Sequence, residues 1–354
     1  MKLAKLSLAA IVAAGALTTV SAQPLEEAIK GVQFSGFLQY TLNDVEAENN
    51  TRTSTNDYDF LAKFTAPVAD NLKAVMAFAS GPDHKNNTGS IDAQGVDLAK
   101  AFFVYTNAGA TVKAGLMALG TPVTDNGFNG SKGNGVLAMY NAGPVTLAGA
   151  YFGSAKMNLG THDGDFAAAA VIGSFGPVAA QVWAIRAPGL IDQHIFAQVS
   201  AGYEGFSLVG QMADTELESG LDGTFYAVKG SFKMGDYGIS ATYTDNDEDQ
   251  PIHAIDNSGD TDVIASGWRL QNTETTNDIL ESWGVDASAT FGQFGVVAGI
   301  ANAEFAADEA DEVYAGVSYA YSKNFTTYVR YSDVDNDVAG EDYQYLRFNA
   351  AYKF

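Results

Sequence analysis

Residues 343–354 read YQYLRFNAAYKF and alternate strictly between two faces. One face carries apolar and aromatic side chains, namely Leu346, Phe348, Ala350, Tyr352 and Phe354. The other face carries Tyr345, Arg347, Asn349, Ala351 and Lys353. A period of two residues is that of a β-strand. Since lipid can cover such an apolar face and the segment ends on an aromatic residue, the pattern predicts the closing strand of an outer-membrane β-barrel.

The first 22 residues have the organisation of a secretory signal peptide. Lys2 and Lys5 precede an apolar run from Leu6 to Leu17, and the small residues Val20-Ser21-Ala22 form a cleavage signature. The run of about 12 residues is shorter than the roughly 20 that a spanning helix needs. We therefore expect residues 1–22 to be removed and residues 23–354 to form a single barrel domain in the cell outer membrane.

Composition excludes several classes of function. Without the two signal-peptide lysines, the chain has 17 Lys and Arg against 42 Asp and Glu, a formal net charge of −25. Such an acidic protein is a poor partner for nucleic acid, whose phosphates require positive charge. The chain has no cysteine, so disulfides, metal-thiolate sites and cysteine nucleophiles are excluded. Its 4 histidines show no paired metal-binding spacing and no serine nucleophile elbow accompanies them, so we expect no enzymatic activity.

Segments with a period of two recur along the whole chain and predict the fold. Eighteen of them can be assigned, from 33–43 to 342–354, and they include 72–80, 110–118 and 237–246. An even number is what a closed bacterial barrel requires when both termini lie on the periplasmic side. The predicted fold is all-β, a transmembrane antiparallel β-barrel of 18 strands.

The links between these segments alternate in length. Eight short links rich in glycine and asparagine would form periplasmic turns, whereas nine longer polar links, among them 44–56, 119–134 and 247–278, would face outward. This alternation is typical of outer-membrane barrels.

Charged residues indicate which face of each strand lines the lumen. An Arg or Lys facing lipid near mid-bilayer costs roughly 2 to 4 kcal/mol, so the strand cations should point inward, together with acids in the same register. The predicted pore-lining residues are Asp59, Lys63, Lys113, Lys229, Asp286, Arg330 and Arg347. A barrel of this size is too wide for its own side chains to fill, and an aqueous channel is expected.

One long link differs from the others. The segment TPVTDNG at 121–127 has little charge and is followed by closely spaced glycines, so it could fold inward against the barrel wall or remain an ordinary surface loop. If it folds inward, Asp125 and Asn126 would set the size and charge of a constriction.

Three stretches of the chain carry a family resemblance. The signal MKLAKLSLAAIVAAGALTTVSA, the following PLEEAIKGVQFSGFLQY and the TPVTDNG segment resemble the Campylobacter-type major outer membrane porins. The resemblance implies an 18-stranded, trimeric, cation-preferring general porin with its third outer loop folded into the pore. It also implies that Thr124, Asp125 and Asn126 are constriction residues, and that calcium binds near them at Asp125; no other cofactor is expected.

Three functions remain open from the sequence. The leading hypothesis is a general diffusion porin for ions and small hydrophilic solutes. The second is a selective channel for small anionic solutes, which would use the inward arginines Arg330 and Arg347. The third is a structural or adhesive barrel, in which Trp268 and Arg269 of the 247–278 link would contact a surface partner. Expected partners are two further copies of the chain in a homotrimer, membrane lipid and lipopolysaccharide.

Overall fold

The computed structural model describes residues 31–80, 95–128, 130–157, 163–247, 255, 260–270, 279–306, 308–337 and 342–354. These residues form eighteen β-strands and no α-helix. The strands are β1 (Gln33–Ala47), β2 (Arg52–Ala69), β3 (Leu72–Ser80), β4 (Val96–Asn107), β5 (Ala110–Ala118), β6 (Lys132–Ala142), β7 (Val145–Lys156), β8 (Asp163–Phe175), β9 (Val178–Ala187), β10 (Ile191–Tyr203), β11 (Phe206–Leu217), β12 (Asp222–Met234), β13 (Tyr237–Asn246), β14 (Ile279–Phe291), β15 (Phe294–Phe305), β16 (Glu309–Ala320), β17 (Phe325–Asn336) and β18 (Tyr343–Lys353). Among the described residues, no helix has the length and apolar character needed to cross a membrane.

Every strand pairs antiparallel with its neighbours in sequence, and β1 pairs with β18 to close the barrel. The chain end takes part in this closure. Gly36 and Phe354 exchange two backbone hydrogen bonds, with N···O distances of 2.9 and 3.1 Å. The Phe354 ring lies 4.9 Å from the ring of Phe34 on the outer surface. The predicted fold, including the strand count, is confirmed.

The short turns at one end of the barrel follow from local backbone chemistry. Ala108-Gly109 and Glu204-Gly205 are consecutive residues with positive φ, at 46° and 84° and at 46° and 88°. Two positive φ angles in succession define the type I′ turn, whose twist matches that of a β-hairpin. Tight hairpins therefore join the strands at this end.

The two faces of the wall differ as the sequence pattern predicts. On β12, Tyr226 and Val228 are exposed whereas Ala227 between them is buried. Exposed aromatic and aliphatic residues recur in this outer register around the barrel, where lipid would cover them. The buried apolar residues lie on the opposite, inner face, where loop segments pack against it.

The first predicted outer link is wrong in extent. Residues 44–56 were expected to form a loop, but β1 and β2 continue until only 48–51 connect them. Asp44 accepts hydrogen bonds from the Arg52 guanidinium and from Ser54, which hold this hairpin end together. A strand that extends beyond the lipid no longer needs an apolar face, so residues 44–56 lack the alternation that identified the other strands.

Candidate functional site

The third loop, residues 119–131 between β5 and β6, lies inside the barrel. Phe128 packs edge-on against Phe37 on the inner face of β1, with ring centroids 5.1 Å apart. The loop thus extends from its own strands to a wall four strands away. Leu119 and Val123 are 1% and 0% exposed because they pack on the inner wall. The predicted inward fold of this loop is confirmed.

Hydrogen bonds within the loop fix the TPVTDNG segment. The hydroxyl groups of Thr121 and Thr124 form a hydrogen bond of 3.0 Å. The Asn126 side-chain amide donates to the Thr121 carbonyl at 2.9 Å. The Gly127 N–H donates to Asp125 Oδ1 at 2.7 Å. Thr124 is fully buried, Asp125 is 8% exposed and Asn126 is exposed. Of the three residues predicted for a constriction, Thr124 and Asp125 are therefore buried in the folded loop, and Asn126 is the exposed one.

A second loop segment also lies inside the barrel. Residues 260–270, in the seventh loop between β13 and β14, contact the third loop through backbone hydrogen bonds. The Asp262 N–H donates to the Pro122 carbonyl at 2.7 Å, and the Asn126 N–H donates to the Asp260 carbonyl at 3.1 Å. The inner-wall residue Gln211 binds this segment as well, donating to the Asp262 carbonyl and accepting from the Ile264 N–H.

Glu312 on β16 anchors the far end of the same segment. Its side chain is buried, and its carboxylate accepts hydrogen bonds from the backbone N–H groups of Trp268, Arg269 and Leu270 at 2.8 to 3.3 Å. The Ser332 hydroxyl donates a further bond at 2.6 Å. The expectation that Trp268 and Arg269 face outward for an adhesive contact is wrong, because Glu312 draws their backbone onto the inner wall.

Three arginines gather around this anchor. Arg330 and Arg347 lie directly opposite each other in the β17–β18 register. The Arg330 guanidinium lies 4.9 Å and that of Arg347 5.8 Å from the Trp268 ring centroid, and Arg269 lies 4.0 Å from the ring of Tyr345. Aromatic faces attract cations through their quadrupole, which makes it less costly to hold like charges side by side. The described residues place no carboxylate in a salt bridge with these guanidinium groups.

The other residues predicted to line the pore lie on the same inner register of their strands. Lys63 pairs with Ser35 and Asp59 with Gln39 on the β1–β2 ladder, and Asp286 receives a hydrogen bond from Ser240 at 3.2 Å. Lys113 and Lys229 occupy the corresponding positions opposite Leu137 and Thr242. The structure brings Lys63, Lys113 and Lys132 close enough to Lys100 for their charges to act on it.

A family model described as Campylobacter major outer membrane protein matches residues 1–180 of the chain. The chain belongs to this family. The Campylobacter-type resemblance of the sequence is thereby confirmed, and the family supports an outer-membrane channel. Among curated proteins, no match to the chain is found.

Solved structures share the fold of this family member. Pseudomonas aeruginosa OccK9 (OpdG) aligns with a TM-score of 0.73 and 14% identity over 92% of this chain and 99% of that one. A BenF-like porin from Pseudomonas fluorescens Pf-5 gives 0.72 and 11% over 92% and 99%. Pseudomonas aeruginosa OccK2 (OpdF), solved in complex with glucuronate, gives 0.71 and 12% over 92% and 98%.

The porin's two inward loops bring two carboxylates together. A Cβ atom added to Gly127 would lie 2.7 Å from Asp260 Oδ2 and 2.9 Å from Asp125 Oδ1, so both oxygens border the same glycine. Burial raises the pKa of Asp260 above its ordinary value of 3.8, and the charge of Asp125 raises it further. The junction therefore holds two carboxylates side by side inside the barrel.

Calcium is the metal that the resemblance implies at Asp125. Calcium takes six to eight oxygen ligands, several of them carboxylate. Asp125 and Asp260 supply two carboxylates, and the described residues contain no group of three metal-binding side chains. These residues do not fit calcium by themselves, so the function proposed below does not depend on it.

Sequence reasoning missed Glu312, Asp260, Lys100 and Lys132. Lys100 could have been found by the register argument that gave Lys113, because both are cations on period-two strands. Glu312 offered a weaker signal, an acid between Ala310 and Tyr314 on the inner register of β16. Asp260 offered none, since it lies in a polar link that resembles the other outer loops.

Proposed function

We propose that this porin is a general diffusion channel that passes ions and small hydrophilic solutes through a water-filled lumen. The supporting observation is that two loops, joined to each other and to the wall, fold into an 18-stranded barrel whose inner face carries charged side chains beside its apolar contacts with the loops. Barrels of 16 to 18 strands leave an aqueous channel. Loops that enter such a channel set its size and charge, so solutes would move passively down their gradients through the space left beside them.

The channel prefers cations over anions in this proposal. Asp125 and Asp260 place negative charge where the two inward loops meet, and the protein as a whole is strongly acidic. Fixed charges in a narrow, low-dielectric passage raise the local concentration of counter-ions. The narrow part of the channel is the place where a few charges influence permeation most.

Planar-bilayer recordings in a KCl gradient test this proposal. The wild-type protein should give an ohmic conductance with a cation-selective reversal potential, and Asp125→Asn should lower the selectivity. Asp70→Asn, an identical change in an exposed periplasmic turn, is the matched control and should leave it unchanged. An absence of conductance would reject the channel, whereas equal effects of the two substitutions would reject the role of Asp125.

A second candidate function is favoured by the arginine cluster. Arg269, Arg330 and Arg347 lie beside aromatic rings on one side of the lumen, and no described carboxylate forms a salt bridge with them. Arg347 donates to Asn43 and Tyr345, so an anionic solute would be held mainly by the positive charge of the cluster and by the guanidinium donors that these bonds do not use. The similar OccK2 (OpdF) was solved with glucuronate, an organic anion. Saturable block of KCl current by glucuronate, lost in Arg330→Gln, would establish this function; block that persists in Arg330→Gln would exclude the cluster.

The assembly expected of this porin is a homotrimer embedded in outer-membrane lipid and lipopolysaccharide after removal of residues 1–22. The family resemblance and the extensive apolar outer face support this proposal. A high-mass band that resists heating in detergent would demonstrate the trimer. Amino-terminal sequencing of the protein from outer membranes should begin at Gln23, and a start at Met1 would contradict cleavage.

A further inference from the structure

The inner wall contains an apolar cavity at some distance from the arginine cluster. Its volume is about 270 Å³, and the residues that line it belong to strands β4 to β9 and to the start of the third loop. Phe102, Leu137 and Trp183 form apolar sides, and Leu119 of the third loop lies at its edge. An apolar recess is unusual on the inner face of a channel, where water would otherwise contact polar side chains.

The recess exists because small residues occupy consecutive strands at the same height. Ala148 on β7 pairs with Ala170 on β8, and Ala150 pairs with Ala168. Their methyl groups leave room that the larger side chains on either side do not fill. The third loop cannot move into this space while Val123 and Leu119 are packed on the wall and Val123 is bonded to Ile255.

Two lysines give this cavity a charge. Lys100 and Lys113 both line it, and the positive charges of Lys63 and Lys132 act on Lys100 as well. In the described part of the chain, neither Lys100 nor Lys113 forms a salt bridge with a carboxylate. Crowded ammonium groups beside an apolar surface are costly unless an anion joins them.

We propose that this cavity is a binding site for a small organic carboxylate with an apolar body, either aromatic or a saturated ring. The carboxylate lies between Lys100 and Lys113, and the apolar body occupies the recess beside Trp183. Binding sites of this kind combine apolar walls with a few placed polar groups that fix orientation. The inference goes beyond the proposed channel function and rests on it only for access of the ligand to the lumen.

An equilibrium measurement on the full-length protein in detergent tests the site without requiring transport. The probe is cyclohexanecarboxylate, which has both features; acetate has only the charge, and cyclohexylmethanol has mainly the apolar body. The readout is tryptophan fluorescence, with Trp183→Phe identifying the reporting residue. We expect saturable binding of cyclohexanecarboxylate at least about tenfold tighter than that of acetate, because the ring buries apolar surface in the recess that acetate cannot bury.

Three variants locate the site. Lys113→Gln should weaken binding severalfold, and Ala148→Leu, which fills the recess, should abolish it. Lys229→Gln, an inward lysine on the distant strand β12, is the matched control and should bind normally. Retention of heat-modifiable mobility on gels shows that each variant is folded.

The proposal is overturned if acetate or cyclohexylmethanol binds as tightly as cyclohexanecarboxylate, or if folded Ala148→Leu still binds the probe. Planar-bilayer conductance of the same preparations separates this result from the channel proposal. A conducting protein that does not bind the probe contradicts the cavity site alone, whereas a non-conducting protein that binds it contradicts the channel alone.

Discussion

Glu312 illustrates how one side chain can decide the course of a loop. Its carboxylate satisfies three consecutive backbone N–H groups and a hydroxyl inside the barrel, away from bulk water. Buried polar groups are expensive unless they are hydrogen-bonded, and bonds to a charged acceptor are among the stronger ones. The side chain therefore acts as an anchor for the seventh loop rather than as a solute ligand.

Glu312→Gln should loosen this anchor while the barrel remains folded. The amide keeps the shape of the side chain but removes the charge and one acceptor, and hydrogen bonds to charged groups contribute about 1.5 to 3 kcal/mol. Backbone amides of residues 268–270 should then exchange with deuterium roughly tenfold faster or more, as measured by mass spectrometry. Glu309→Gln, an exposed change on the same strand, is the control. Unchanged exchange at 268–270 would show that Glu312 does not hold the loop.

Asp260 should make the loop junction sensitive to pH. Its pKa is raised by burial and by Asp125, so the contact between the loops is strongest when Asp260 is protonated and weakens as pH rises through that raised pKa. Protonation also removes a charge from the channel. The cation preference, measured by reversal potential, should therefore fall on acidification with a midpoint above 3.8. The Asp260→Asn variant should already show a lower cation preference at neutral pH. If its cation preference still changed with pH at the wild-type midpoint, the titrating group would not be Asp260.

At the scale of the element, strand β1 depends on a close approach that only glycine permits. A Cβ atom on Gly36 would lie 1.9 Å from the Leu61 carbonyl oxygen, and Gly36 also bonds the chain end at Phe354. Gly36→Ala should therefore destabilise the closed barrel by about 1 to 3 kcal/mol, the usual cost of overpacking. The measurement is the urea midpoint of the folded band on heat-modifiability gels.

Gly210→Ala provides the matched control for that experiment. Gly210 also belongs to a barrel strand, and a Cβ there meets nothing within 4 Å. This variant should unfold at the wild-type midpoint or above it. Equal urea midpoints for Gly36→Ala and Gly210→Ala would mean that β1 and β2 can move apart to accept the added methyl group without a loss of stability.

The strands were readable from the sequence because lipid imposes the same requirement on each of them. The bounds predicted for 72–80, 110–118 and 237–246 agree with β3, β5 and β13 to the residue. Polar residues at 44–56 hid the ends of β1 and β2, since alternation is lost where a strand leaves the membrane. The seventh loop was misread for another reason. Its position depends on Gln211 and Glu312, which lie far away in sequence, and no local pattern records such contacts.

At the scale of the whole molecule, the lumen contains groups of opposite charge that the two inward loops hold apart. The third loop enters from the β5–β6 side and reaches β1, while the seventh loop runs from the third loop to the arginine cluster on β17 and β18. Asp125 and Asp260 lie at the junction of the loops, whereas the arginine cluster and the group of lysines around Lys100 lie on the wall. In the proposed channel, selectivity would therefore depend on where the two loops hold these charges.

Replacing residues 261–270 by a short Gly-Ser linker should enlarge the channel. This segment occupies lumen between Gln211 and Glu312, and its removal also frees the third loop from the bond between Asp262 and Pro122. Single-channel conductance in planar bilayers should rise, and the open-channel current should become noisier because the third loop loses a support. The matched control replaces 218–221, the connection between β11 and β12, with the same linker chemistry and should conduct as wild type. If the conductance of the 261–270 variant equalled that of the control, the seventh loop would not limit the passage, and the constriction would belong to the third loop alone.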